Sequence, residues 1–124
     1  MEPVKSFREL EVYKLARQLS LKIYNISRSF PKEEMYSLTD QIRRSSRSVG
    51  AQIAEAWAKR RYEKHFVSKL TDADGEQQET QHWIETASDC NYLSTEQTKD
   101  WLEQYASVGR MLNSMINKAD RFCS

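Results

Sequence analysis

Glycine and proline are scarce in this chain: three glycines and two prolines, with both prolines before position 32. That removes the punctuation of turn-rich β folds and of collagen-like or linker segments. Cysteine is scarce too. Cys90 and Cys123 form no CxxC or other metal-ligand spacing, so neither a zinc knuckle nor a disulfide framework is expected. Histidine is limited to His65 and His82, which offer no persuasive nucleophile–base pair. No apolar run approaches a membrane span, and the start MEPVKSFREL lacks the basic-then-apolar order of a signal peptide. The expectation is a cytoplasmic protein with reduced thiols and no membrane association.

What is present is charge and helical periodicity. Charged residues make up 30% of the 124 positions and apolar residues 39%, enough for one domain with its own core. The net charge is only +1, but it is unevenly spread. Residues 41–70 hold eight Lys/Arg against two Glu, and residues 71–105 hold one Lys against nine Asp/Glu. Such asymmetry fits opposed basic and acidic surfaces. It fits equally two neighbouring helices compensating each other within one molecule.

Four segments repeat apolar residues every three or four positions. They are Val12, Leu15, Ala16, Leu19, Ile23, Ile26, Phe30; Leu38, Ile42, Ser45 or Ser46, Val49, Ile53, Ala56; Phe66, Leu70, Ala73, Gln77, Thr80, Ile84, Ala87, Asn91; and Trp101, Tyr105, Val108, Leu112, Met115, Ala119, Phe122. This is the seam of helices packed at shallow angles. Pro31 separates the first two, and Ser94 with Gln97 forms a capping box before the fourth. Short connections make neighbouring helices antiparallel. The expected fold is all-α: one up-down-up-down four-helix bundle over 1–124, with helices at about 8–29, 33–60, 64–92 and 95–120.

If helices two and three turn near residue 62, residues whose numbers sum to about 125 lie level. Gly50 then faces Gly75, and a close approach of the two backbones is expected there. Ser45 falls opposite Thr80. Glu79 comes within reach of Arg43, Arg44 or Arg47. With Gln77 these residues would form a polar belt, either structural or a ligand site.

Metal and phosphate motifs fail on inspection. Glu79-Thr80-Gln81-His82 has the ExxH spacing of di-iron bundles, but a second copy is lacking because Tyr62 stands where the glutamate before His65 would be. Asp72-Ala73-Asp74-Gly75 places Leu70 and Gln81 at the ends of any calcium loop, which excludes one. There is no Gly-rich phosphate loop. No cofactor, metal site or enzymatic activity is expected. The basic residues Lys59, Arg60, Arg61 and Lys64, beside Trp57 and Tyr62, have two readings. They complement the C-terminal dipole of helix two, or they neutralise phosphates while the aromatics stack on bases. Trp57 and Trp83 lie off the main stripes, with Ala54, Ala58, Val67 and Met111, and this second apolar face points to self-association.

The segments FRELEVYKLA, FPKEEMYSLTDQIRRSSRSVGAQIAEAW and FVSKLTDADGEQQETQHWIETASDCNYL resemble the bacterial four-helix-bundle proteins of the 23S rRNA intervening-sequence family. They are also similar to the related accessory variability determinant of diversity-generating retroelements. The likeness spans roughly residues 7–118 and is most specific at Leu38, Gln41, Arg44, Ser48, Ile53, Ala54, Glu55, Phe66, Leu70, Ala73 and Glu79. Gln52 and Ala56 depart from the Asn and Gly common in the family. The resemblance implies a homopentameric, barrel-like assembly with a basic surface. It also implies RNA or DNA association, or service to a nucleic-acid enzyme. The alternative is a protein-interaction scaffold that binds no nucleic acid.

Overall fold

The structure, a computed structural model, describes residues 3–123. Four long helices run Glu11–Ser27 (α1), Leu38–Ala58 (α2), Glu63–Asp89 (α3) and Thr95–Asn117 (α4), followed by one short turn of helix at Ala119–Phe122 (α5). Successive helices are antiparallel. The hairpin of α2 and α3 is the most extensively packed pair, with α1 laid on α2 and α4 on α3. The bundle read from the periodicity is the bundle found.

The helix boundaries show where local chemistry overrides period. The first helix begins at Glu11 rather than at residue 8, because Ser6 and Glu9 form a capping box around a 3-10 turn at Phe7–Glu9. The second begins at Leu38 rather than at 33. After Pro31 the chain makes i to i+3 bonds, Glu34 N to Pro31 O at 2.9 Å and Met35 N to Lys32 O at 3.1 Å. These hold a second 3-10 turn at Lys32–Glu34 before Ser37 turns the chain into α2. The third helix stops at Asp89. Asn91 takes φ 62°, the Tyr92 amide donates to Ala87 O and the Asn91 amide to Ser88 O, each at 2.9 Å. This is a Schellman ending with asparagine in the left-handed position, so Asn91 is a stop and not part of the seam. The capping box before α4 is present as read, with Gln97 N donating to Ser94 Oγ at 3.1 Å.

Each seam meets at the bundle axis. Ile23, Ile42, Val49, Phe66, Leu70, Ile84, Tyr105, Val108 and Leu112 are fully buried. At about 1.5–3 kcal/mol for each large apolar side chain removed from water, this layer is the main source of stability. Ser45, Ser46, Gln77 and Thr80 interrupt it as a buried polar stretch at mid-height. At the end of the bundle where α3 turns into α4, Tyr92 donates to Glu34 Oε2 at 2.9 Å and packs on Phe30, tying two connections together.

The glycines do not behave as the register suggests. A Cβ built on Gly50 would meet only Tyr13 of α1, at 3.6 Å, and one on Gly75 would meet nothing within 4 Å. Neither marks an approach of α2 to α3. The tight contact lies between α3 and α4 and is made by a side chain: a Cβ on Gly109 would stand 2.7 Å from Gln77 Nε2.

Candidate nucleic-acid interface

The α2–α3 hairpin turns over four residues, Lys59 to Tyr62, with Tyr62 N donating to Lys59 O at 3.0 Å. This short turn brings Lys59, Arg60, Arg61 and Lys64 together at one end of the bundle. Their roles then separate. The Arg60 guanidinium lies 3.7 Å from the centroid of the Trp57 ring and donates from Nε to Trp57 O at 2.9 Å. It therefore satisfies a carbonyl at the end of α2, which is the capping role of a C-terminal cation. Trp57 is buried beneath it, so this ring serves as a platform for Arg60 rather than for a base. Lys59, Arg61 and Lys64 are exposed, and Tyr62 is 58% exposed. Among the described residues none of the four cations pairs with a carboxylate. Nearby, Cys123 has its thiol pushed up by burial first and by Glu63 next, which favours the protonated form.

The arginines of α2 face different neighbours. Arg44 reaches α3, donating to Glu76 Oε2 at 3.0 Å and to Glu79. Glu79 also accepts from the Trp83 indole N–H at 3.0 Å. The Trp83 hydrogen bond and then the Arg44 guanidinium hold its carboxyl below the ordinary glutamate range, against an opposing pull from burial. Arg43 and Arg47 do not join this network. They turn to α1, where their guanidinium carbons lie 4.8 and 5.4 Å from the Tyr24 ring centroid. Arg43 Nε donates to Ser27 Oγ at 2.8 Å. Of the three arginines expected to form a polar belt with Glu79, only Arg44 reaches the acids of helix three. On an α-helix, adjacent residues point about 100° apart, which sends 43 and 44 to opposite flanks of the seam.

Ser45 and Thr80 meet as the register requires, their hydroxyl oxygens 2.9 Å apart. Gln77 leaves that layer for the α4 side. Its amide nitrogen donates to Asp74 Oδ1 at 2.9 Å and its oxygen accepts from Gln81 at 2.7 Å. Glu55 pairs with Lys69 across the hairpin at 3.3 Å. The expected second apolar face is not a single surface: Trp57 belongs to the core, and Val67, Trp83 and Met111 pack partly against it. Among the described residues the large exposed apolar side chains are instead Val4, Leu21, Met35, Tyr36 and Tyr62.

One basic surface escaped the reading of the chain as a string. Residues 12–28 and 41–54 carry seven Lys/Arg and no Asp or Glu, and α1 and α2 lie side by side. Arg17, whose Nη1 lies 3.3 Å from the Tyr13 hydroxyl, lines a groove with Arg47, Ser20 and Gly50. The missing signal was an absence, the lack of any carboxylate in either stretch, and it acquires meaning only once the two helices are known to be neighbours.

Among the described residues no group of three or more His, Cys, Asp and Glu could hold a metal ion, and no helix is long and apolar enough to cross a membrane. The comparison with curated proteins finds no match. Among solved structures, the chain is similar to a protein of unknown function from the S23 ribosomal protein family of Bacteroides thetaiotaomicron VPI-5482. The two share 27% identity with a TM-score of 0.76, over 86% of this chain and 95% of that one. The sequence profile of the 23S rRNA-intervening sequence proteins matches residues 8–114. With the helices, the buried seams and the match covering most of its length, this chain belongs to the 23S rRNA-intervening sequence protein family.

Proposed function

We propose that this protein is a non-enzymatic, self-associating bundle of the cytoplasm that binds RNA or DNA, or assists an enzyme that acts on them. The observation that carries the reading is the exposed cluster Lys59, Arg61 and Lys64 around Tyr62, whose cations form no ion pair among the described residues even with Glu63 between them in the chain. Unpaired cations beside an exposed ring suit a phosphate backbone with a base against the aromatic face. A family named for an insertion in 23S rRNA, and a structural neighbour named for a ribosomal protein family, agree with a nucleic-acid setting. The homopentamer and the kinship with the accessory determinant of retroelements are part of the same proposal.

Fluorescence anisotropy with labelled single-stranded RNA and DNA at low salt tests it. Binding should fall steeply as salt rises, and K59Q/R61Q/K64Q should weaken it on both nucleic acids. Salt-independent binding, or none, removes the reading. Sedimentation at tens of micromolar tests self-association, which a monomer would refute.

The rival reading, a protein-interaction scaffold without nucleic-acid binding, draws on Tyr36 at 90% and Met35 at 51% exposure in the α1–α2 connection. Two such side chains side by side are anchors of the kind partner proteins bury. An oligomer that binds no oligonucleotide at low salt would favour it.

A further inference from the structure

We propose that the groove between α1 and α2 is a track for one nucleic-acid strand, with Arg17, Arg43 and Arg47 holding its phosphates. The proposal rests on the nucleic-acid reading above and adds to it a second, differently built site.

Three observations carry it. First, the facing stretches 12–28 and 41–54 contain no Asp or Glu. Of their seven cations, Lys14 pairs with Glu11 and Arg44 with Glu76 and Glu79; Arg17, Lys22, Arg28, Arg43 and Arg47 have no carboxylate partner among the described residues. Arg17 and Arg47 line one groove, and Arg43 and Arg47 flank one ring; like charges gathered without counter-charge cost stability that an anionic ligand restores.

Second, the guanidinium groups are already positioned. Arg43 is fixed by its Nε bond to Ser27, whose hydroxyl in turn donates to Tyr24 O at 2.9 Å. Arg43 and Arg47 share the Tyr24 ring, and Arg17 lies against the Tyr13 hydroxyl. A guanidinium over an aromatic ring spends its flat face on the ring and leaves N–H groups at its edge for an anion. That planar fork matches phosphate oxygens. The rings here orient arginines and are not offered to bases.

Third, small residues line the groove, together with the Tyr13 and Phe7 rings. Gly50, Ala51 and Ala54 line it with Ala16 and Ser20. α1 and α2 pack directly on each other, so the groove is a surface trough with Arg17 from one helix and Arg47 from the other, and a single strand laid along it meets both.

The test is anisotropy on a labelled 20-nucleotide oligouridylate, compared with a duplex of the same length. R17Q/R47Q should bind the single strand about tenfold more weakly and lower the slope of log K against log salt by about 1.4, two phosphates at ~0.7 each. K99Q/R110Q, which removes the same charge from exposed positions on α4, should change neither comparably. R17K/R47K keeps the charge without the fork and should lose part of the affinity; it preserves the comparison if the glutamine variant melts early by circular dichroism. Equal loss in R17Q/R47Q and K99Q/R110Q overturns the proposal, as does duplex binding with the same dependence on Arg17 and Arg47. Wild-type behaviour of R17Q/R47Q, with K59Q/R61Q/K64Q defective, overturns the groove and leaves the function standing. Wild-type protein that binds no oligonucleotide removes both. Arg17- and Arg47-dependent binding to phosphatidylserine vesicles, with none to oligouridylate, replaces the strand by a membrane surface and overturns it.

Discussion

The hydroxyl oxygens of Ser45 on α2 and Thr80 on α3 lie 2.9 Å apart in a layer closed to solvent. The Thr80 oxygen is also 2.9 Å from the carbonyl of Glu76, four residues back. Thr80 has one proton and two acceptors to serve. The arrangement that satisfies all three groups has Thr80 donating to the carbonyl and Ser45 donating to Thr80. The pair is therefore a directional link between the two central helices.

This link predicts non-additivity. Thr80→Val removes one partner and leaves the Ser45 hydroxyl buried, at a cost of about 1–3 kcal/mol. Ser45→Ala leaves Thr80 its backbone bond and should cost less. The double variant should be more stable than the sum of the singles implies, by about 1 kcal/mol. Urea unfolding of the four proteins measures this, and strict additivity would show that the two hydroxyls are independent.

Gly109 and Gly75 make opposite predictions from one chemical change. Both sit in helix interiors, where alanine is favoured by about 1 kcal/mol. A Cβ at Gly75 meets nothing, so Gly75→Ala should raise stability by up to that amount, about 4 °C in melting temperature. A Cβ at Gly109 would press into the amide of Gln77, which is 4% exposed and already bonded to Asp74. Displacing that buried amide costs about 1–3 kcal/mol, so Gly109→Ala should be neutral or destabilising. Thermal melts in which both variants gain would refute the close α3–α4 contact.

Glu79 gives the fold an acid limb. Its carboxyl is held low by the Trp83 N–H first and by Arg44 as well. A carboxylate with a depressed folded value stabilises the protein above its unfolded value, and the contribution is lost as pH falls through the folded one. Trp83→Phe removes the larger of the lowering contacts. The stability difference between wild type and Trp83→Phe should therefore be largest near neutrality and narrow as pH drops from about 6 to about 3. A difference constant across that range would mean that Trp83 acts through packing alone.

Tyr105 carries a hydroxyl that no protein group bonds, at a fully buried position in α4. Burial pushes its phenol well above the ordinary tyrosine range, so it stays neutral throughout the accessible pH range. Tyr105→Phe removes an unpaired polar atom and keeps the ring. It should be neutral or stabilising by up to about 1 kcal/mol in chemical unfolding. A loss larger than that would show that the hydroxyl has a partner in solution.

The periodicity of apolar residues was enough for the helices, their order, the antiparallel packing and most of the buried side chains, though not Leu10, Trp57 or Leu93. That follows from geometry: a stripe every three to four residues has one way to leave water, and short connections permit one topology. The Ser45–Thr80 contact and the Ser94–Gln97 cap were legible for the same local reason. The flanks of the stripes were not. Arg43, Arg44 and Arg47 all border one seam, and nothing in their spacing says whether α1 or α3 lies on a given side. Packing resolved it, sending Arg44 to Glu79 and the other two to Tyr24. Glycine misled in the same way, since a missing side chain says that something is close or that nothing is. Gly109 proved to be the first case and Gly75 the second. Period reports which face of a helix is dry; only the arrangement of neighbours assigns a charge at its margin to a partner or leaves it unpaired.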